Sequence, residues 1–114
     1  MIPDTLFTRI AKREIPARFL HEDEHCFVIA DVAPKAPFHA LVIPRLPITS
    51  LEAALPEHAS LIGHLLLTAK KVADAAGCGG AFRVVTNSGA GAGQSVPHLH
   101  FHVLGGRPLG GDFG

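Results

Sequence analysis

The segment His98-Leu99-His100-Phe101-His102-Val103-Leu104 alternates imidazole and apolar side chains with a period of two over its first six residues. That period belongs to a β-strand, whose successive side chains point to opposite faces; on a helix, neighbours on one face are three or four residues apart. The segment therefore predicts a strand that carries Leu99, Phe101 and Val103 toward a core. Its other face presents three imidazoles, each about 7 Å from the next along the strand. Three histidines in strict alternation are hard to reconcile with a merely solvated face, because imidazole is the side chain whose ordinary pKa lies nearest neutrality.

The rest of the chain supplies what such a strand needs. Asp4 is placed to cap a short helix over Thr5 to Lys12, with Leu6, Phe7 and Ile10 on its apolar side and Pro16 closing the segment. Residues 18–21 and 26–31 read as the strands of a hairpin, bent at Glu22-Asp23-Glu24-His25. After a loop marked by Pro34 and Pro37, residues 39–43 are β-rich and stop at Pro44. Thr49-Ser50-Leu51-Glu52 has a capping-box pattern and begins a short helical turn. The longest helix is predicted from Pro56 to Ala76, with Leu61, Leu65, Thr68, Ala69, Val72 and Ala76 on one stripe and Gly77 as its stop. Residues 81–86 read as a further strand, followed by the loop Asn87–Ser95 with three glycines in nine residues. Strands, one long helix and more strands, without a strict βαβ rhythm, predict an α+β fold with a mainly antiparallel sheet.

Composition narrows the function classes. At 114 residues the chain has room for one domain, spanning 1–114, and 47% hydrophobic with 18% charged residues excludes a disordered chain. Ten basic residues balance ten acidic ones, so no global field favours nucleic acid or an anionic membrane as partner. No apolar stretch, Leu65-Leu66-Leu67 included, is long enough to span a bilayer. The start, Met1 to Asp4, lacks the pattern of a secretory leader. Cys26 and Cys78, in no metal-type spacing, read as small buried hydrophobes in a reducing cytoplasmic setting. Four of the eight histidines, His21, His25, His58 and His64, carry no pattern and are expected on exposed or helix surfaces.

Two chemistries compete for the row of imidazoles. Histidines at i and i+2 can chelate zinc, with His39 as third ligand and an open position for catalysis. No aspartate or glutamate lies between Asp74 and Asp112 to support such ligands from behind, which weighs against metal. The other chemistry is nucleophilic attack at phosphorus, for which a neutral imidazole is well suited. The glycine-rich loop then has a use, because backbone N–H groups without a Cβ in the way can approach a phosphate. Ser95 adds a hydroxyl at the loop's exit.

The stretch from Gln94 through the three histidines to Leu104-Gly105-Gly106-Arg107 resembles the signature of the histidine-triad (HIT) superfamily, and is closest to its Hint branch of nucleoside phosphoramidases. Glu14-Ile15-Pro16-Ala17, residues 31–37 and His39-Ala40-Leu41-Val42-Ile43-Pro44 match Hint blocks in order and spacing, so the likeness covers nearly the whole chain. The resemblance implies a five-stranded, mainly antiparallel sheet with one long and one or two short helices, in a homodimer. It implies hydrolysis of purine nucleoside phosphoramidates, of the adenosine 5′-monophosphoramidate type, through a nucleotidyl-histidine and without a required cofactor; zinc remains a disfavoured alternative.

By that resemblance His100 is the nucleophile, His102 and Ser95 contact the α-phosphate, and Ser95 also assists the leaving nitrogen. His39 and His98 support and orient His100. Asp31 grips the ribose hydroxyls, and Val32, Leu6, Phe7, Ile10 and Ile29 wall the base pocket of an AMP- or GMP-type ligand. Asn87 and the Gly93-Gln94 backbone cradle phosphate and sugar. Pro47 and Pro97 stand where many Hint proteins have a histidine and an aromatic, Ile29 where phenylalanine is frequent, and the tail lacks a tryptophan seen in several relatives. Substrate range is the property these departures affect. The rival readings are a dinucleoside polyphosphate hydrolase of the Fhit branch, and a nucleotide-binding regulator whose hydrolysis is incidental.

Overall fold

The structure, a computed structural model, describes residues 4–113; the sequence expectation about Met1 to Pro3 lies outside them. A short helix α1 (Leu6–Ala11) precedes strands β1 (Phe19–Glu22), β2 (Cys26–Ala30) and β3 (Phe38–Pro44). Single 3-10 turns at Leu51–Ala53 and Pro56–His58 lead into the long helix α2 (Ala59–Ala75), followed by β4 (Phe82–Val85), a turn at Ala90–Ala92 and β5 (Phe101–Gly105). The five strands form one sheet in the order β1-β2-β3-β5-β4, with every neighbouring pair antiparallel. The predicted α+β architecture is the one observed.

Each face of the sheet has its own apolar layer. Cys26, Val28, Ala40, Val42, Leu99, Phe101 and Val103 pack against Leu65, Ala69, Val72 and Ala73 of α2. On the other face, Phe27, Ile29, Leu41 and Ile43 are covered by Phe7 and Ile10 of α1. Fully burying side chains of this size stabilises by roughly 1.5–3 kcal/mol each. β2 and β3 therefore alternate between two cores rather than between core and water, which is why 26–29 and 40–43 read as unbroken apolar runs.

Several boundaries differ from expectation for identifiable reasons. Thr5, not Asp4, caps α1: its Oγ1 accepts from the Thr8 amide at 3.2 Å while Thr8 Oγ1 accepts from the Thr5 amide at 2.7 Å. That reciprocal box satisfies two terminal donors at once, and Asp4 instead meets Lys12 Nζ at 3.2 Å. The turn at Leu51–Ala53 forms, but Ser50 supplies no side-chain cap. The α2 stripe holds at Leu65, Thr68, Ala69 and Val72; Ala76 is exposed beyond the last turn, and Ala73 is buried instead. Gly77 ends the helix at φ +82°, a conformation that favours glycine.

The largest departure concerns the histidine strand, which starts at Phe101 and not at His98. Val42 pairs with Phe101, so continuing the register two residues would set Pro44 opposite Leu99. Proline has no N–H to give the ladder. The Leu99 amide donates instead to Ile48 O at 2.7 Å. The alternation of faces survives this change, since Leu99 is still in the α2 core with Phe101 and Val103.

Both cysteines are free and buried. Among the described residues, no helix is long and apolar enough to cross a membrane.

Candidate active site

His102 is the only triad histidine within the ladder. It pairs with Leu41 on β3, and His39 lies two residues away on the same face. That diagonal relation is within reach of long side chains, and His39 Nε2 stands 2.9 Å from His102 Nδ1. The Lys35 amide donates to His39 Nδ1 at 3.0 Å, so the neutral ring carries its proton on Nε2. That proton goes to His102 Nδ1, and the proton of His102 must then sit on its Nε2. Asp31, directly after β2, brings Oδ2 to 3.3 Å from His39 Nε2 and accepts from the Ala33 amide at 2.8 Å.

The other two rings are fixed by backbone. His98 Nε2 donates to Pro44 O at 2.8 Å, and its Nδ1 is 3.2 Å from Thr5 Oγ1, which donates to it. His100 Nδ1 donates to His98 O at 2.8 Å, which leaves Nε2 as the ring's lone-pair nitrogen. No fully buried side-chain polar atom lacks a partner among the described residues. His100 Nε2 has no such partner, so this atom is not fully buried, although the residue as a whole is only 6% exposed. Thr86 Oγ1 donates to His100 O at 2.8 Å and steadies this segment where the ladder does not. Phe7 sets its ring edge-on to His98 and His100, with centroids 5.9 and 4.9 Å away, and His100 lies 5.1 Å from His102.

These surroundings keep the supporting imidazoles neutral. Burial, followed by the neighbouring His100 and His39, pulls His102 down to about 4. Burial lowers His39 as well, against the opposing pull of Asp31. Burial also lowers His98, with the Pro44 carbonyl opposing. At neutral pH the three supporting rings are neutral, and they stand beside the unpartnered Nε2 of His100.

The remaining expected residues divide. Ser95 is exposed at the exit of the glycine loop, and Asn87 is half-buried where a Cβ added at Gly93, whose φ is +94°, would meet its side chain. The backbone amides of Gly93 and Gln94 are not free as a cradle requires: they donate to Ala90 O at 3.0 Å and Gly89 O at 3.2 Å. The Gln94 side chain ties the loop together, bonding Thr49 O, Val96 O and the Gly89 amide at 2.8, 2.9 and 2.8 Å. Phe7, Ile10 and Ile29 are closed into the α1 core, whereas Leu6 and Val32 project into solvent. They form a floor and a rim rather than a single wall.

The sequence argument against metal rested on a missing carboxylate, and Asp31 supplies one from outside that stretch. Asp31, His39 and His102 offer atoms within 4.8 Å of one another. Thr5 and Thr86 are site groups that no motif announced, and the Lys35 amide and Pro44 carbonyl, though inside matched blocks, act through backbone atoms that side-chain pattern does not reveal. His21 and His64, expected at the surface, instead share the carboxylate of Asp23, each Nε2 at 2.8 Å.

A model of the HIT domain matches residues 12–109. An uncharacterized HIT-like protein of Synechocystis is 54% identical over 109 residues, 96% of each chain. Among solved structures, a HIT family hydrolase from Legionella pneumophila superposes with a TM-score of 0.92 at 38% identity, covering 95% of this chain and 97% of the other. One from Clostridium thermocellum gives 0.93 at 36% identity over 98% of both. The chain belongs to the HIT family.

Proposed function

We propose that the protein hydrolyses purine nucleoside phosphoramidates, as in the Hint branch, through a covalent nucleotidyl intermediate on His100. The observation that carries this reading is the tautomer of His100. Its Nδ1–H is committed to His98 O, so the lone pair on Nε2 is the ring's one reactive position, on an atom that is not fully buried. That lone pair attacks the α-phosphorus, a P–N bond to the ring forms, and the bond to the amine breaks. The leaving nitrogen needs a proton, which Ser95 is placed to relay by the family resemblance. The Nε2–H of His102 donates to a phosphoryl oxygen as negative charge grows there. Water then cleaves the phosphorus–imidazole bond, releasing nucleoside monophosphate and restoring the ring. No metal is needed in this scheme.

The two solved relatives described as HIT family hydrolases support hydrolysis as the outcome. The exposed Leu6 and Val32 are suited to stack against a purine, and the chain is expected to act as a homodimer. A fluorogenic adenosine phosphoramidate tests the reading: turnover by the wild type and its collapse in His100→Ala are expected. Equal rates in the two proteins would remove His100 from the chemistry.

A further inference from the structure

The opposite face of the hairpin gathers chemistry-bearing side chains that the reaction at His100 does not use. Asp23, in the bend between β1 and β2, accepts the His25 and Cys26 amides on Oδ1, both at 2.8 Å, which pins its carboxylate. Its Oδ2 then meets His21 Nε2 at 2.8 Å, His64 Nε2 at 2.8 Å and Cys26 Sγ at 3.6 Å. Atoms of His21, Asp23 and Cys26 lie within 4.8 Å of one another. Cys26 is fully buried, while the side chains of His21, Asp23 and His64 are 16%, 25% and 37% exposed, so the group opens to solvent on its imidazole side.

We propose that this group is a divalent-cation site of the zinc type, with His21 Nε2, Asp23 Oδ2, Cys26 Sγ and His64 Nε2 as ligands. Two imidazoles, a thiolate and a carboxylate suit zinc; magnesium and calcium take oxygen ligands. Bonds of roughly 2.0–2.3 Å place the corners of a tetrahedron about 3.3–3.6 Å apart. The separation between Cys26 Sγ and Asp23 Oδ2, 3.6 Å, already has that length. The two N–O distances of 2.8 Å are hydrogen-bond lengths and must open by about half an ångström, and His64, which lies outside the trio whose atoms are all within 4.8 Å of one another, must also swing toward His21 and Cys26 to complete the four. On binding, the Cys26 thiol proton leaves to solvent, and each imidazole keeps its one proton by moving it to Nδ1. Burial pushes the free thiol up to about 11, so the thiolate forms only with the ion in place. The ion would staple the β1–β2 hairpin to α2.

The catalytic trio of Asp31, His39 and His102 is also close-set, but it contains no sulfur. A sulfur-specific readout therefore separates the two sites and does not depend on turnover. Untagged protein stripped by chelator is titrated with Co2+. One equivalent is expected to produce thiolate-to-cobalt charge-transfer absorption, and Zn2+ to bleach it. No such band in the wild type overturns the proposal. The band should vanish in Cys26→Ser, persist in His102→Ala, and need more than about tenfold higher Co2+ in His21→Ala or His64→Ala. Persistence in Cys26→Ser, or unchanged affinity in both His21→Ala and His64→Ala, overturns it too. Circular dichroism confirms that each variant is folded, and His64, on the outer side of the group, gives a test that spares the core.

Discussion

On the α1 face of the sheet, four imidazoles are held by backbone groups, a threonine hydroxyl and one another, with Asp31 beside His39 alone; on the α2 face, His21 and His64 converge on a single carboxylate. Both groups are partly buried and most of their hydrogen-bonding ring nitrogens have partners, His100 Nε2 apart, yet the outcomes are opposite. Around His39, His98 and His102, backbone groups and neighbouring rings do not offset the loss of water around a positive charge, and burial keeps these three rings neutral. Asp23 is a negative centre whose Oδ2 is bonded by two rings. Burial works to raise its pKa, but hydrogen bonds from His21, the His25 and Cys26 amides and His64 outweigh that and hold the carboxyl well below the usual range. Nucleophilic imidazole needs the first environment. A site that attracts a cation needs the second.

The comparison can be broken most sharply at its reactive atom. His100→Ala is expected to cut kcat/KM on a phosphoramidate by about 10³-fold or more, with little change in substrate affinity. No substitution confined to the Asp23 group should approach that loss per folded molecule.

Acid should act on the two faces in sequence. His102 has a folded pKa of about 4 against an ordinary 6.5, so the unfolded chain binds more protons between those values. Its contribution to stability is complete above pH 6.5, falls as the pH drops toward 4, and amounts to about 3 kcal/mol at full extent. The Asp23 carboxyl is shifted downward, so its contribution is present above its ordinary value of 3.8 and is lost only in stronger acid. Urea unfolding of the wild type and His102→Gln at pH 7, 5.5 and 4.5 checks this, since the variant should show the smaller loss. Equal losses would mean that His102 is not the ring held neutral.

Asp23→Ala leaves two imidazole N–H groups and two backbone amides without their acceptor, and should destabilise the metal-free protein by roughly 2–3 kcal/mol. Phosphoramidase activity per folded molecule should be unchanged, because the two groups lie on opposite faces. Thr86→Val is the gentlest probe. It removes the donor to His100 O, and about 1 kcal/mol of stability with a several-fold drop in kcat at constant KM is expected. Thr86→Ser should restore most of it, whereas a merely space-filling role for Thr86 predicts no rescue.

Sequence periodicity located most of the elements. The apolar alternation of 99, 101 and 103, the stripe through Leu65 and Val72, and Gly77 at the helix end each follow from local chemistry and were legible. The site was legible as a list: His39 and His102 came from separate blocks and do meet at 2.9 Å. What stayed hidden depends on partners distant in the chain. Pro44 removes a donor opposite Leu99 only because β3 and β5 adopt one register, and that leaves His98 outside the ladder with its ring on the Pro44 carbonyl. The Gly93 and Gln94 amides close their own loop, a choice between turn and ligand that composition does not express.

By itself, the sequence determined that the alternation from 98 to 103 would set the imidazoles on the face opposite Leu99, Phe101 and Val103, after a glycine-rich loop. Those consequences follow from backbone periodicity, which every strand obeys. The tertiary structure alone decided which nitrogen of each ring carries a proton, because tautomers are set by the acceptor that packing brings near. It alone decided that His64, on a helix 41 residues beyond Asp23, would share that carboxylate with His21. Such convergence depends on how α2 lies across the sheet, and no spacing in the chain records it.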